Sequence, residues 1–150
     1  MNSETGSRPR IVVGIDGSEP SLDALRWAAT QAELTGAQLD VVMTWEYPTS
    51  YGWVPPYPED FDPEADTRKV LEETVRRVLG EQPALELHTR VIEGHPAPSL
   101  IEASRGAQLL VVGSRGHGAF VGMVIGSVSE HCVSHSSCPV VVVRHSDDSS

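Results

Sequence analysis

The chain has 150 residues, enough for one domain with a substantial core, and 39% of them are hydrophobic. It carries 21 acidic against 11 basic residues, a formal charge of −10. That balance argues against nonspecific binding to nucleic acid or to acidic membranes, because both need a basic surface. No apolar run approaches the roughly 20 residues that span a bilayer. The first ten residues are polar and lack the apolar centre of a signal peptide. The two cysteines, Cys132 and Cys138, are not spaced as C-x-x-C and make a poor disulfide framework. A cytoplasmic location is expected on these grounds.

In chain order, Met1 to Pro9 reads as a flexible segment, and Ile11-Val-Val-Gly-Ile15 as a buried strand ended by Asp16-Gly-Ser18. Ser18 is a plausible helix cap and Pro20 suits a first helical turn. Leu22, Leu25, Ala28, Ala29, Ala32 and Leu34 recur at near-helical spacing, and Gly36 stops the pattern. Leu39 to Trp45 is the second strand. Residues 46–63, rich in Pro, Tyr and Trp, form the longest irregular stretch. A helix over 63–80 presents Val70, Leu71, Val75, Val78 and Leu79. Leu85 to Ile92 is the third strand, Pro98 to Arg105 a short helix, and Leu109 to Val112 the fourth strand. A helix over 126–136 and a strand ending Val140-Val-Val-Val143 complete the pattern, and 146–150 reads as a disordered tail. Alternating strands and helices imply parallel β-α-β units with right-handed crossovers. The fold class is therefore α/β: a single Rossmann-like domain over 10–145, an open parallel sheet with helices on both faces.

The chemistry concentrates after the fourth strand. Gly113-Ser-Arg-Gly116 is followed by nine residues and then Gly126-Ser127. Glycines let backbone N–H groups approach an anion with no Cβ in the way. A helix start adds unpaired N–H donors and a positive dipole end. Arg115 and His117 can add side-chain donors. In open parallel sheets ligands bind beyond the carboxyl ends of the strands where the order reverses. Gly14-Ile-Asp16 and the segment 113–129 would meet there if strands one and four are neighbours. The motif is not a Walker loop, since Gly122-Met-Val-Ile-Gly126-Ser127 lacks the lysine. Nor is it G-x-G-x-x-G, since position 121 is Val.

The segments Ile-Val-Val-Gly-Ile-Asp-Gly-Ser18, Val-Val-Gly-Ser-Arg-Gly-His-Gly118, Gly126-Ser-Val-Ser129 and Cys-Pro-Val-Val-Val-Val143 together resemble the ATP-binding subclass of universal stress proteins. The resemblance covers Arg10 to Arg144, and the family's G-x-x-G-x9-G-S/T spacing is complete. It implies a five-stranded parallel sheet in the order 3-2-1-4-5 and a homodimer that pairs Val140 to Val143 across a twofold axis. An unpaired apolar edge strand is a hazard in its own right. The resemblance further implies an adenine nucleotide as ligand, ATP with Mg²⁺ or cyclic AMP. Gly14 and Asp16 would lie near the nucleoside or, through the metal, the phosphates. The backbone at Thr44 would hold the adenine edge. Gly113, Ser114, Gly116 and Gly118 would wrap ribose and phosphates, and Gly126, Ser127, Val128 and Ser129 would offer helix-start donors. No catalytic residue is assigned. The resemblance implies a nucleotide-dependent regulatory role in stress response.

Alternatives stay open beside that reading. The protein can be a slow ATPase, with His117 the one general base in the loop. It can also be a nucleotide-independent dimeric scaffold or chaperone-like protein. Asp16 can simply cap the turn before the first helix. Trp45, Tyr47, Tyr51, Trp53 and Tyr57 can rim the adenine or anchor the long loop. His131 and His135, with Cys132 and Cys138 nearby, lack a familiar zinc spacing; a buried Cys132 and surface histidines fit the pattern better.

Overall fold

The structure, a computed structural model, describes residues 8–47, 56–114 and 125–145. Five strands and four helices alternate: β1 (Arg10–Gly14), α1 (Glu19–Thr35), β2 (Gln38–Trp45), α2 (Pro63–Leu79), β3 (Leu87–Glu93), α3 (Pro96–Ala103), β4 (Leu109–Gly113), α4 (Ser127–His135) and β5 (Val140–Val143). All pairings are parallel, and the sheet order is β3-β2-β1-β4-β5, as expected. The order reverses at β1, which lies between β2 and β4.

Alternation along β1 explains its unbroken apolar run. Ile11 and Val13 pack with Ala24, Leu25 and Ala28 of α1 and with Leu71 and Val75 of α2. Val12 points the other way, into a second core with Ala97, Leu100 and Ala103 of α3 and Cys132 of α4. A strand buried on both faces has no polar face to show. Each fully buried leucine in these layers contributes roughly 1.5–3 kcal/mol.

Local signals set the helix ends. Ser18 caps α1 by accepting from the Ser21 N–H at 3.4 Å, and Gly36 ends it at φ 75, a left-handed conformation that favours glycine. Asp62 caps α2 by accepting from Ala65 N–H at 3.1 Å. α3 begins at Pro96, two residues before the expected start, since either proline fits a first turn that needs no N–H donor. β3 begins at Leu87 rather than Leu85, which packs against the first core from outside the ladder.

The chain is tied to the sheet before β1: Arg8 donates to the Gly36 carbonyl at 3.0 Å, and the Pro9 carbonyl accepts from Gln38 N–H at 2.9 Å. The expectations for 1–7 and for 146–150 lie outside the described residues. Among the described residues no helix is long and apolar enough to cross a membrane.

Candidate functional site

The carboxyl ends of β1 and β4 are neighbours, paired from Ile11 with Leu109 to Val13 with Val111. The starts of α1 and α4 come to the same edge. Gly14, Asp16, Gly113, Ser114 and the segment 126–129 are therefore brought together, as the sequence predicts. Arg115, Gly116, His117 and Gly118 lie outside the described residues.

The base of the glycine loop is closed by hydrogen bonds. Gly126 N–H donates to the Ser114 carbonyl at 2.5 Å, and the Ser129 hydroxyl donates to the Gly113 carbonyl. Ser114 N–H donates in turn to the Val143 carbonyl of β5 at 2.8 Å. Both serines are buried, 3% exposed each. Ser129 thus spends its hydroxyl on the framework, while the first turn of α4 still points its N–H groups at this edge. Among the described residues no side chain caps that turn, and Gly126, which has none to offer, occupies the cap position. α1 and α2, by contrast, are capped by Ser18 and Asp62. Ser127 is exposed, and the Val128 side chain packs into the second core, leaving only its backbone to face outward.

Two of the glycines have a structural reason that sequence reasoning missed. A Cβ on Gly14 would stand 2.6 Å from Leu100 Cδ1, so the missing side chain makes room for α3. A Cβ on Gly113 would stand 2.7 Å from the Pro20 carbonyl carbon, so β4 and the first turn of α1 meet backbone to backbone. Both contacts join elements distant in the chain, which no local motif could reveal.

Asp16 is exposed, and it also shapes the turn. Its Oδ1 accepts from Ser18 N–H at 2.9 Å and from Ser18 Oγ at 2.5 Å. Gly17 between them has φ 87. Ser18 then caps α1, so a short relay runs from Asp16 to the helix start. Thr44, half-buried, pairs with Ile92 near the end of β2. Just beyond it, Trp45 meets Tyr47 edge-on at 5.1 Å, and Tyr57 stacks on Phe61 at 4.5 Å. Tyr47 also lies 5.7 Å from Tyr57, so the rings join the end of β2 to the approach of α2. Phe61 is a member of this ring cluster that its acidic neighbours hid in the sequence. Tyr51 and Trp53 lie outside the described residues.

Cys132 is wholly buried in the second core, and Cys138 packs against that core; both are free thiols. Burial, and secondarily the neighbouring Cys138, push the Cys132 thiol up to about 11. Among the described residues no three His, Cys, Asp or Glu side chains come together as a metal cluster. A further contact went unread in the sequence: His145 Nδ1 lies 2.6 Å from Asp23 Oδ2, fastening the chain beyond β5 to α1.

The universal stress protein family model matches residues 8–144. The chain belongs to the universal stress protein family. A universal stress protein of Mycolicibacterium smegmatis is 36% identical over 141 residues, which cover 92% of this chain and 46% of that protein. One from Mycobacterium tuberculosis is 35% identical over 152 residues, covering 95% of this chain and 51% of the relative. The chain thus spans about half the length of these relatives. Among solved structures, a universal stress protein in complex with cAMP is 26% identical with a TM-score of 0.69, covering 94% of this chain and 100% of that one. A universal stress protein from Lactobacillus plantarum superimposes with a TM-score of 0.73 at 20% identity, over 93% of this chain and 100% of the other. That second likeness speaks for the fold alone.

Proposed function

We propose that this universal stress protein binds an adenine nucleotide, ATP with Mg²⁺ foremost, at the β1–β4 edge and acts as a cytoplasmic, homodimeric regulator in stress response. The observation that carries this reading is the uncapped start of α4. It is clamped to the end of β4 by the Gly126–Ser114 and Ser129–Gly113 bonds, at the place where the strand order reverses. Open N–H groups and the positive end of a helix dipole favour a phosphate there. They also offset the repulsion that a chain of formal charge −10 exerts on an anionic ligand.

Within this reading Gly116 and Gly118 let the loop backbone close on the phosphates, and Arg115 and His117 supply donors. The backbone N–H groups of Ser127, Val128 and Ser129 complete the anion site. Asp16 is the carboxylate that would face Mg²⁺, and the end of β2 at Thr44 receives the adenine. Gly14 lies beside the nucleoside in this reading, and its missing side chain also makes room for Leu100. The structure in complex with cAMP supports the adenine-nucleotide class and keeps cyclic AMP as a competing ligand. Homodimerisation uses β5, whose four valines are only partly buried and whose outer edge has no partner strand in the sheet.

Titration calorimetry with ATP-Mg²⁺ and with cyclic AMP, on the wild type and on Gly116→Val, tests this reading. Binding by the wild type that the folded variant loses is the expected result. Equal affinity in the two proteins would overturn the assignment of the glycine loop to phosphate.

A further inference from the structure

α4 carries a feature that the nucleotide reading does not use. Its exposed side bears His131 and His135, one helical turn apart. Their rings lie 4.5 Å apart at an interplanar angle of 21°. Residues at i and i+4 sit one above the other on a helix. The His135 Nδ1 lies 3.2 Å from the His131 carbonyl. A carbonyl only accepts, so that contact places the ring proton on Nδ1 and leaves the Nε2 lone pair free. A histidine whose other ring nitrogen donates to a backbone carbonyl is the usual form of a metal ligand.

We propose that His131 and His135 form a two-histidine chelate for a divalent transition-metal ion on the outer side of α4. Imidazole nitrogens sit about 2.0–2.1 Å from such an ion, so the two Nε2 atoms must come within about 4 Å of one another. Rings already stacked across one turn reach this by side-chain rotation alone, and both side chains are exposed enough to turn. Among the described residues no third His, Cys, Asp or Glu joins them. Water therefore completes the coordination, and the site selects nickel, copper or zinc over magnesium by its nitrogen donors. The chelate clips together the end of the helix whose first turn carries the Ser129–Gly113 bond. Metal binding thus stabilises α4 from the end opposite the loop.

The test is calorimetric titration of the full chain with Ni²⁺ alone, without nucleotide. The wild type, His131→Gln, His135→Gln and the control His88→Gln are compared, with circular dichroism to check folding. His88 is exposed and pairs with Glu86 at 2.8 Å, away from α4. One Ni²⁺ should bind the wild type and His88→Gln equally. Each α4 variant should bind roughly tenfold more weakly or worse, the scale on which loss of even a supporting residue lowers metal affinity. Ni²⁺ should also raise the melting temperature of the wild type but not of His135→Gln. Affinity that is undiminished in either α4 variant, or that falls equally in His88→Gln, overturns the site. Neither result depends on whether the protein binds nucleotide.

Discussion

The Ser114 carbonyl accepts the Gly126 amide at 2.5 Å, which joins the end of β4 to the start of α4. Beside it, the Ser129 hydroxyl holds the Gly113 carbonyl, and Ser114 N–H holds β5 through Val143 at 2.8 Å. The base of the glycine loop is thereby built from β4, α4 and β5 together.

Ser129→Ala removes the side-chain half of this clamp and leaves the part-buried Gly113 carbonyl without its hydroxyl donor. The expected cost is about 1–3 kcal/mol. At about 2–4 °C for each kcal/mol in a chain of this size, that is a readily measured fall in melting temperature. ATP affinity should fall with it, because the start of α4 is no longer fixed against β4. A melting temperature that falls while the ATP dissociation constant stays unchanged would show that the clamp serves the fold only.

The two strand-end glycines should respond differently to alanine. At Gly14 the new methyl group meets the side-chain end of Leu100, which can move or be trimmed. At Gly113 it meets the backbone of Pro20 and Ser21, which cannot move without shifting α1. Overpacking typically costs about 1–3 kcal/mol, and Gly113→Ala should lie at or above the upper end of that range. Gly14→Ala combined with Leu100→Val should be less destabilised than the sum of the two single changes. Urea denaturation of the four proteins in that cycle measures the coupling. Strict additivity would mean that the methyl group at position 14 does not meet Leu100.

Cys132 gives a pH dependence of definite sign. Its thiol ionises at about 11 in the folded chain against an ordinary value of 9.0. Between those values the unfolded chain has released this proton and the folded chain still holds it. Stability therefore falls as pH rises from 9.0 to about 11. Below that window the contribution of the neutral buried thiol is fully present. Cys132→Val, which keeps an apolar side chain and removes the proton, should show a shallower loss across the same range in denaturant titrations. In the wild type at pH 8, thiol reagents should modify the partly exposed Cys138 well before the wholly buried Cys132, because burial shuts the reagent out. Equal slopes in the two proteins would mean that Cys132 ionises alike in both states.

Period and punctuation in the sequence carried most of the elements. Ser18 and Gly36 bounded α1, and Asp62, just ahead of Pro63, supplied the cap of α2 that the reading had not singled out. The glycine spacing at 113, 116 and 126 marked the loop. The strand order came from resemblance, since periodicity says which strand is buried but not which strand lies beside it. The packing constraint on Gly14 was not legible in the sequence because Leu100, the side chain that needs its space, sits on another element. The contact of His145 was not legible in the sequence because its partner Asp23 is near only in space.

Composition, hydrophobic period and turn residues by themselves determined that this chain is an α/β protein with a glycine loop ahead of its last helix. Those signals are local, and each acts through the few residues around it. The tertiary structure alone decided which faces meet. It set Gly113 against the backbone of Pro20, turned the hydroxyl of Ser129 inward to the Gly113 carbonyl, and brought the start of α4 beside the end of β4. Those outcomes depend on close packing between segments remote in sequence, where a single methyl group or donor settles what fits.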